Sequence, residues 1–139
     1  MRQHQEFISI HAGGRGLHDI TGRVAEIVDA SEVDLGICSL FVRHTSCSLL
    51  IQENADPSAR YDLERYFERI APENDPAYTH TMEGADDMPA HLRAALTQTS
   101  LQVPIRQRRL ALGTWQGIYL FEHRRSTHRR ELVVHVLGE

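Results

Sequence analysis

The chain has few cysteines, no surplus of positive charge and no long apolar run, and each absence excludes a class of protein. Its two cysteines, Cys38 and Cys47, do not make a disulfide framework. A formal net charge of −4 argues against a general nucleic-acid-binding protein, which needs a basic surface. No stretch is apolar enough to span a membrane, and the N-terminus lacks the apolar core of a secretory signal. We therefore expect a cytoplasmic protein with no nucleic-acid or membrane partner.

Length and composition predict a single domain over residues 1–139. A chain of 139 residues that is 41% hydrophobic can bury a core without disulfide or metal staples. No internal repeat, low-complexity segment or linker divides it. Histidine is what the chain has in abundance, with nine residues. Neutral imidazole is the commonest metal ligand in proteins, so the places of these histidines matter most.

Apolar periodicity predicts an α+β fold of about three helices and several strands. The helices are expected to begin near Asp19 or Thr21, at Pro57 with Asp56 as cap, and at Pro89, with the last one covering 89–98. The strands are predicted at 5–11, 37–43, 47–53, 100–105, 109–112, 116–123 and 131–137.

Short links between the later strands predict antiparallel meander pairing, with residues 124–130 at the tip of the last hairpin. The link between strands 37–43 and 47–53 is also short. This link leaves two alternatives open, a hairpin or one long bent strand.

The stretch 83–96, EGADDMPAHLRAAL, carries the clearest chemical signal. It brings Asp86, Asp87 and His91 to the start of a helix, where unpaired backbone N–H groups and the helix dipole attract anions such as phosphate. Either pair of neighbouring acids, Glu53 with Asp56 or Asp86 with Asp87, can supply a general base or oxygen ligands for a divalent cation. The alternative is ordinary helix capping, which explains Asp56 fully.

Three histidines on separate elements suggest a metal site. His44 and His123 end predicted strands, and His91 lies at the helix start. Three protein ligands with an open fourth position are typical of catalytic zinc, although no compact zinc motif is present. A strand-end histidine often only hydrogen-bonds a backbone carbonyl, so this alternative stays open.

Two further features point to ligand binding with less specificity. Gly113 and Gly117 bracket Trp115, which indicates a turn that presents the indole or lets the backbone approach a ligand. A packed core or interface tryptophan is the alternative. The basic pairs at 124–125 and 129–130 can attract phosphate, or they can be the solvated tip of a hairpin.

Taken in order, these motifs resemble the YjbQ family of small bacterial and archaeal proteins. The matching blocks are HTSCSLLIQENADP, DLERYFERIAPEN, HTMEGADDMPAH, TSLQVPI and GTWQGIYLFEHR. The resemblance runs from about Ile37 to the C-terminus, and more loosely from Phe7. Cys47 stands where the family more often has a small residue such as alanine, and the segment RRSTHRR lacks the glycines expected there.

The resemblance implies a mostly antiparallel sheet or sandwich, a homotrimer, and a site near or between subunits. It also implies a weak, secondary thiamine-phosphate synthase activity, which joins a pyrimidine pyrophosphate to a thiazole phosphate with loss of pyrophosphate. The histidines in the family's motif blocks correspond to His44, His80, His91 and His123.

The combined prediction is an enzyme for a phosphorylated small molecule with a divalent metal, zinc being favoured. The expected metal ligands are His44, His91 and His123. The expected catalytic residues are Glu53, His80, Asp86 and Asp87. The expected substrate-binding residues are Thr45, Ser46, Trp115, Gln116 and Arg124. The alternatives are a non-enzymatic carrier of a metal or phosphate ligand, and a structural or regulatory protein that uses the Trp115 turn as an interface.

Overall fold

Eight strands and three helices follow one another in the computed structural model, which describes residues 1–139. The strands are β1 (Arg2–Ala12), β2 (Gly16–Asp19), β3 (Leu35–Val42), β4 (Cys47–Glu53), β5 (Ser100–Arg106), β6 (Arg109–Leu110), β7 (Gln116–Glu122) and β8 (His128–Gly138). The helices are α1 (Thr21–Ser31), α2 (Pro57–Ile70) and α3 (Asp87–Leu96).

The strands form two antiparallel sheets. One has the order β1-β8-β3-β5-β6 and the other the order β2-β7-β4. The main core lies between them and includes Leu40 of β3, Leu49 of β4 and Val24 of α1. A smaller cluster around Tyr119 and Phe121 packs on the opposite face of the three-stranded sheet, against α2. The predicted α+β class is thereby confirmed, as is the antiparallel pairing.

Several local predictions are confirmed because short-range chemistry determines them. Strand β4 has the predicted bounds. Helix α2 begins at Pro57, and the Asp56 side chain accepts a hydrogen bond from the Ser58 N–H, as expected of an N-cap.

Helix α3 differs from its prediction at the N-terminus. It begins at Asp87, so Pro89 is its third residue and not its first. Asp86 occupies the N-cap position but makes no capping hydrogen bond with its side chain. Its carboxylate instead contacts Arg124 and the backbone of Arg125. A long-range contact has here replaced the local cap.

The predicted pairing of neighbouring strands is wrong at three places. Strands β3 and β4 form neither a hairpin nor one bent strand, because they belong to different sheets. Strands β6 and β7 also lie in different sheets, and so do β7 and β8. Strand β8 begins inside the segment predicted as a hairpin tip. The reason is that β3 and β4 carry apolar faces that meet across the core, where Val42 and Leu49 are both buried. Strand β2, which the sequence did not predict, pairs with β7.

The crossings from β3 to β4 and from β7 to β8 create one corner of the molecule. We call residues 43–46 and 123–127 the corner loops, since each carries the chain from one sheet to the other. They lie at the same end, because Cys47 pairs with Glu122 and the Arg43 N–H donates to the Glu131 carbonyl. Helix α3 packs beside β4 at this corner. None of the helices is long and apolar enough to cross a membrane.

Candidate functional site

Four side chains converge beside the corner loops, and we call them the donor cluster: His80, Glu83, Asp87 and His91. One ligand atom from each lies within 4.8 Å of every other. Asp87 Oδ2 is the common point, at 2.7 Å from His80 Nε2 and 3.0 Å from His91 Nε2. The span of the cluster is close to that of two zinc bonds of about 2.1 Å, and two imidazoles with two carboxylates suit a divalent transition metal.

Local geometry brings these four residues together. Asp87 and His91 are four residues apart in α3, which places them on the same helix face. The preceding segment turns back at Gly84, whose φ of 107° is uncommon for residues with a side chain. The Asp87 N–H closes this turn on the Gly84 carbonyl at 3.3 Å. His80 and Glu83 are thereby returned to the first turn of the helix.

The hydrogen bonds of His91 fit a metal ligand. Its Nδ1 lies 2.9 Å from the Thr45 carbonyl oxygen, which only accepts, so Nδ1 donates. The remaining Nε2 faces the Asp87 carboxylate, a second acceptor. Two acceptors at 3.0 Å need a proton or a cation between them. Metal-binding histidines commonly donate their other N–H to a backbone carbonyl in this way.

Arg124 binds the carboxylates of Asp86 and Asp87. Its Nη1 donates to Asp87 Oδ1 at 2.7 Å, its Nε to Asp86 at 3.2 Å and its Nη2 to the Glu83 carbonyl at 3.0 Å. Burial alone would raise the pKa of Asp87, but the hydrogen bond from His80 and the charges of His91 and Arg124 outweigh it. The pKa of Asp87 therefore lies below its ordinary value, and the carboxylate is ionised.

The predicted metal set is not assembled, because only His91 belongs to the donor cluster. His123 is fully buried, and its Nε2 contacts Ser48 Oγ at 2.8 Å. Burial and the charges of Arg93 and Arg130 lower the pKa of His123 to about 3. It is therefore a neutral core histidine. The sequence analysis expected His123 at the end of a strand, but the chain crosses there from one sheet to the other, and this crossing places His123 inside the fold.

His44 lies beside the donor cluster, but its Nε2 faces the backbone of β8. This Nε2 accepts a hydrogen bond from the Glu131 N–H at 2.8 Å, so it bonds a backbone donor and not the backbone carbonyl that the alternative expected. Burial and the charge of Arg130 lower the pKa of His44. Its neutral ring lines the same cavity as His91, outside the donor cluster.

Three predicted site residues lie at the opposite end of the three-stranded sheet. Glu53 pairs with Gln116, six residues along the ladder from the corner, a separation of about 20 Å. The Glu53 carboxylate accepts the N–H groups of Ala55 and Asp56, and so supports the start of α2. Trp115 is 62% exposed on the adjoining turn. The geometry of one chain does not connect these residues to the donor cluster.

Two cavities adjoin the donor cluster. The larger, about 510 Å³, has His91 in its wall together with Phe41, Arg43, His44, Thr45 and Ala95. The smaller, about 180 Å³, has His80 in its wall together with Tyr78 and Met88. Of the predicted substrate-binding residues, Thr45 lines the larger cavity, while Ser46 offers its carbonyl to Arg130. Arg124 is occupied by the acids described above.

The sequence interpretation missed Glu83 and Glu122, and it considered Arg130 only as part of the basic pair at 129–130, whereas Arg130 is buried. Glu83 joins the donor cluster, and the spacing of His80, Glu83, Asp87 and His91 by three or four residues was the available signal. Glu122 and Arg130 form a buried ion pair under the corner loops. A glutamate directly after the apolar run 118–121 was the only hint of that pair in the sequence.

Comparison with known proteins places this chain among relatives of the same length. A family model described as UPF0047 protein YjbQ-like matches residues 6–139. A UPF0047 protein of Synechocystis is 52% identical over 99% of this chain and 94% of its own. The YjbQ protein of Escherichia coli O157:H7 is 40% identical over 98% of this chain and 99% of its own.

Solved structures agree with the fold. A protein of the yjbq/upf0047 family from Clostridium acetobutylicum superposes with a TM-score of 0.88 at 33% identity, covering 95% of this chain and 99% of its own. A YbjQ-like protein of unknown function from Sulfolobus solfataricus gives 0.86 at 27% identity and 99% coverage of both chains. The chain belongs to the YjbQ-like UPF0047 family.

Proposed function

We propose that the protein is an enzyme that acts on a phosphorylated small molecule at a divalent-metal site. The donor cluster is the observation that carries this proposal. Two imidazoles and the Asp87 carboxylate, with His91 hydrogen-bonded as metal ligands usually are, fit zinc best among common metals. This ligand set replaces the one predicted from the sequence, with His80 and Asp87 in place of His44 and His123.

The residues of the chain would divide the work as follows. When bound, zinc polarises a phosphate oxygen or activates a water. Arg124 keeps Asp87 ionised and in place. Glu83 is 3.6 Å from His80 and mostly exposed, so it is the carboxylate placed to accept a proton from substrate or water. The larger cavity beside His91 would receive the body of the substrate.

The reaction we propose is a secondary thiamine-phosphate synthase activity, as the family resemblance implies. Such a reaction brings two substrates together and releases pyrophosphate. Two cavities of different size beside one donor cluster support a site for two molecules. Catalysis would then depend on positioning and on stabilising the departing anion.

Replacing His91 with alanine should abolish turnover. The measurement is product formation by the zinc-loaded protein with a pyrimidine pyrophosphate and a thiazole phosphate, followed by a panel of phosphate esters. Loss of activity by more than about 100-fold is expected, since the substitution removes a metal ligand. His4→Ala, near the start of β1 where it pairs with Val136, is the control and should behave as wild type. Full activity in His91→Ala would refute the site, and ligand binding without product would favour a carrier.

We also propose a homotrimer, with the outer face of the five-stranded sheet as the interface. This face leaves Phe7, Ile37, Phe41 and Leu137 between 39% and 59% exposed. Exposed apolar surface of this kind marks association sites. Phe41 also lines the larger cavity, so a neighbour would lie close to the site.

Ile37→Asp should lower the molar mass measured by light scattering from that of a trimer to that of a monomer. The introduced charge would have to be buried without a partner, which is costly. Tyr61→Asp, at an exposed aromatic position on α2, is the control and should remain trimeric. A wild-type protein that is already monomeric would contradict the proposal.

A further inference from the structure

We propose that Glu122 and Arg130 are positioning residues that set the geometry of the donor cluster from beneath the corner loops. This inference rests on the proposed metal site, and it names the two residues that keep the metal ligands in place. Both side chains are almost wholly buried, at 0% and 3% exposure. Arg130 donates twice to Glu122, from Nε at 2.6 Å and from Nη2 at 2.5 Å.

The first connection from this pair runs through the backbone to Arg124. Glu122 Oε2 accepts the N–H groups of His123 at 3.0 Å and Arg124 at 3.1 Å. These two bonds fix the chain where it leaves β7. Arg124 then reaches Asp87 Oδ1 at 2.7 Å. The direction of the Asp87 carboxylate therefore depends on Glu122.

The second connection runs through the other corner loop to His91. Arg130 Nη2 donates to the Ser46 carbonyl at 3.2 Å. The neighbouring Thr45 carbonyl accepts a hydrogen bond from His91 Nδ1 at 2.9 Å. One ion pair thus supports both the carboxylate and the imidazole that share the centre of the cluster.

A purely stabilising role explains this arrangement poorly. Removing two charges from water is costly, so a buried ion pair is often no better for stability than apolar side chains. The pair also lies where two loops from different sheets meet, and it uses its remaining hydrogen bonds on those loops. Such contacts fix an arrangement of the backbone.

The test compares Glu122→Gln and Arg130→Lys with a destabilised control. Arg130→Lys keeps the charge but loses the planar fork that serves Glu122 and Ser46 together. Val28→Ala, in the core of α1, lowers stability without touching the corner loops. Zinc dissociation constants are measured by chelator competition, with thermal melts alongside. Both site variants should bind zinc 10- to 100-fold more weakly, and the control should match wild type.

A second readout separates this inference from the metal site itself. The ring ¹⁵N resonances of His91 in metal-free protein report its hydrogen bond to Thr45, and they should shift in both site variants but not in Val28→Ala. Unchanged zinc affinity and unchanged resonances in folded variants would overturn the inference. If the wild-type protein binds no zinc but the His91 resonances still shift in both site variants, the metal site is overturned and the positioning role is supported. If Glu122→Gln does not fold, Arg130→Lys decides.

Discussion

Lowering the pH from 7 to 5 should reduce the free energy of unfolding by about 2 kcal/mol through His123 alone. Its pKa is about 3 in the folded chain against 6.5 for an ordinary histidine. Between these values the unfolded chain binds a proton that the folded chain does not. The contribution of His123 to the free energy of unfolding is therefore fully present above pH 6.5. It decreases by about 1.4 kcal/mol per pH unit as the pH falls below that value.

The measurement is urea unfolding at pH 7, 6 and 5 in the presence of a chelator. His123→Gln removes the titrating group and should reduce the slope by most of this amount. His44 contributes in the same direction, since its pKa is also lowered, so His44→Gln serves as a comparison. The lowered pKa values of Asp86 and Asp87 act only below about pH 4, outside the window. Equal slopes for wild type and His123→Gln would show that His123 is not a neutral core residue.

Asp87→Asn should weaken zinc binding by at least 100-fold, about 2.7 kcal/mol or more. Its Oδ2 is the one atom that contacts both imidazoles, and an amide in its place carries no charge for a cation. Arg124 also loses the partner of its Nη1, so the variant should melt at a lower temperature. Zinc titrations must therefore be made well below that temperature.

The matched control is Asp75→Asn, an acid in the segment before α3 that hydrogen-bonds the Ala77 N–H and lies outside the donor cluster. It should bind zinc as wild type does. Wild-type affinity in a folded Asp87→Asn protein would remove Asp87 from the ligand set. Equal losses in both variants would point to a general effect of negative charge, against a specific site.

The parts of the fold that the sequence predicted are those decided within a few residues. The cap at Asp56 and the alternation in β4 involve neighbours along the chain. The partners of β3 and β4 depend on which apolar faces meet across the core, and short links alone suggested the wrong pairing. Helix α3 begins two residues before Pro89, and the Asp86 side chain at its N-cap position contacts Arg124, 38 residues away, and makes no cap.

In the site, too, contacts between residues close in sequence were predictable and contacts between distant residues were not. Asp87 and His91 were predictable, because a separation of four residues in a helix places two side chains together. His44 and His123 were grouped by their positions at strand ends, which says nothing about where those strands lie. Glu53 and Trp115 were separated from the cluster by antiparallel pairing of β4 with β7. The supporting pair of Glu122 and Arg130 joins different sheets, so only the folded chain reveals it.

The most direct test of the metal site is the zinc content of the untagged protein after incubation with zinc and removal of excess metal, in wild type, His91→Ala and His44→Ala. The donor cluster predicts near-stoichiometric zinc in wild type and in His44→Ala, with loss in His91→Ala. Absence of zinc from all three proteins, or its loss in His44→Ala with retention in His91→Ala, would contradict a metal site built from His80, Asp87 and His91.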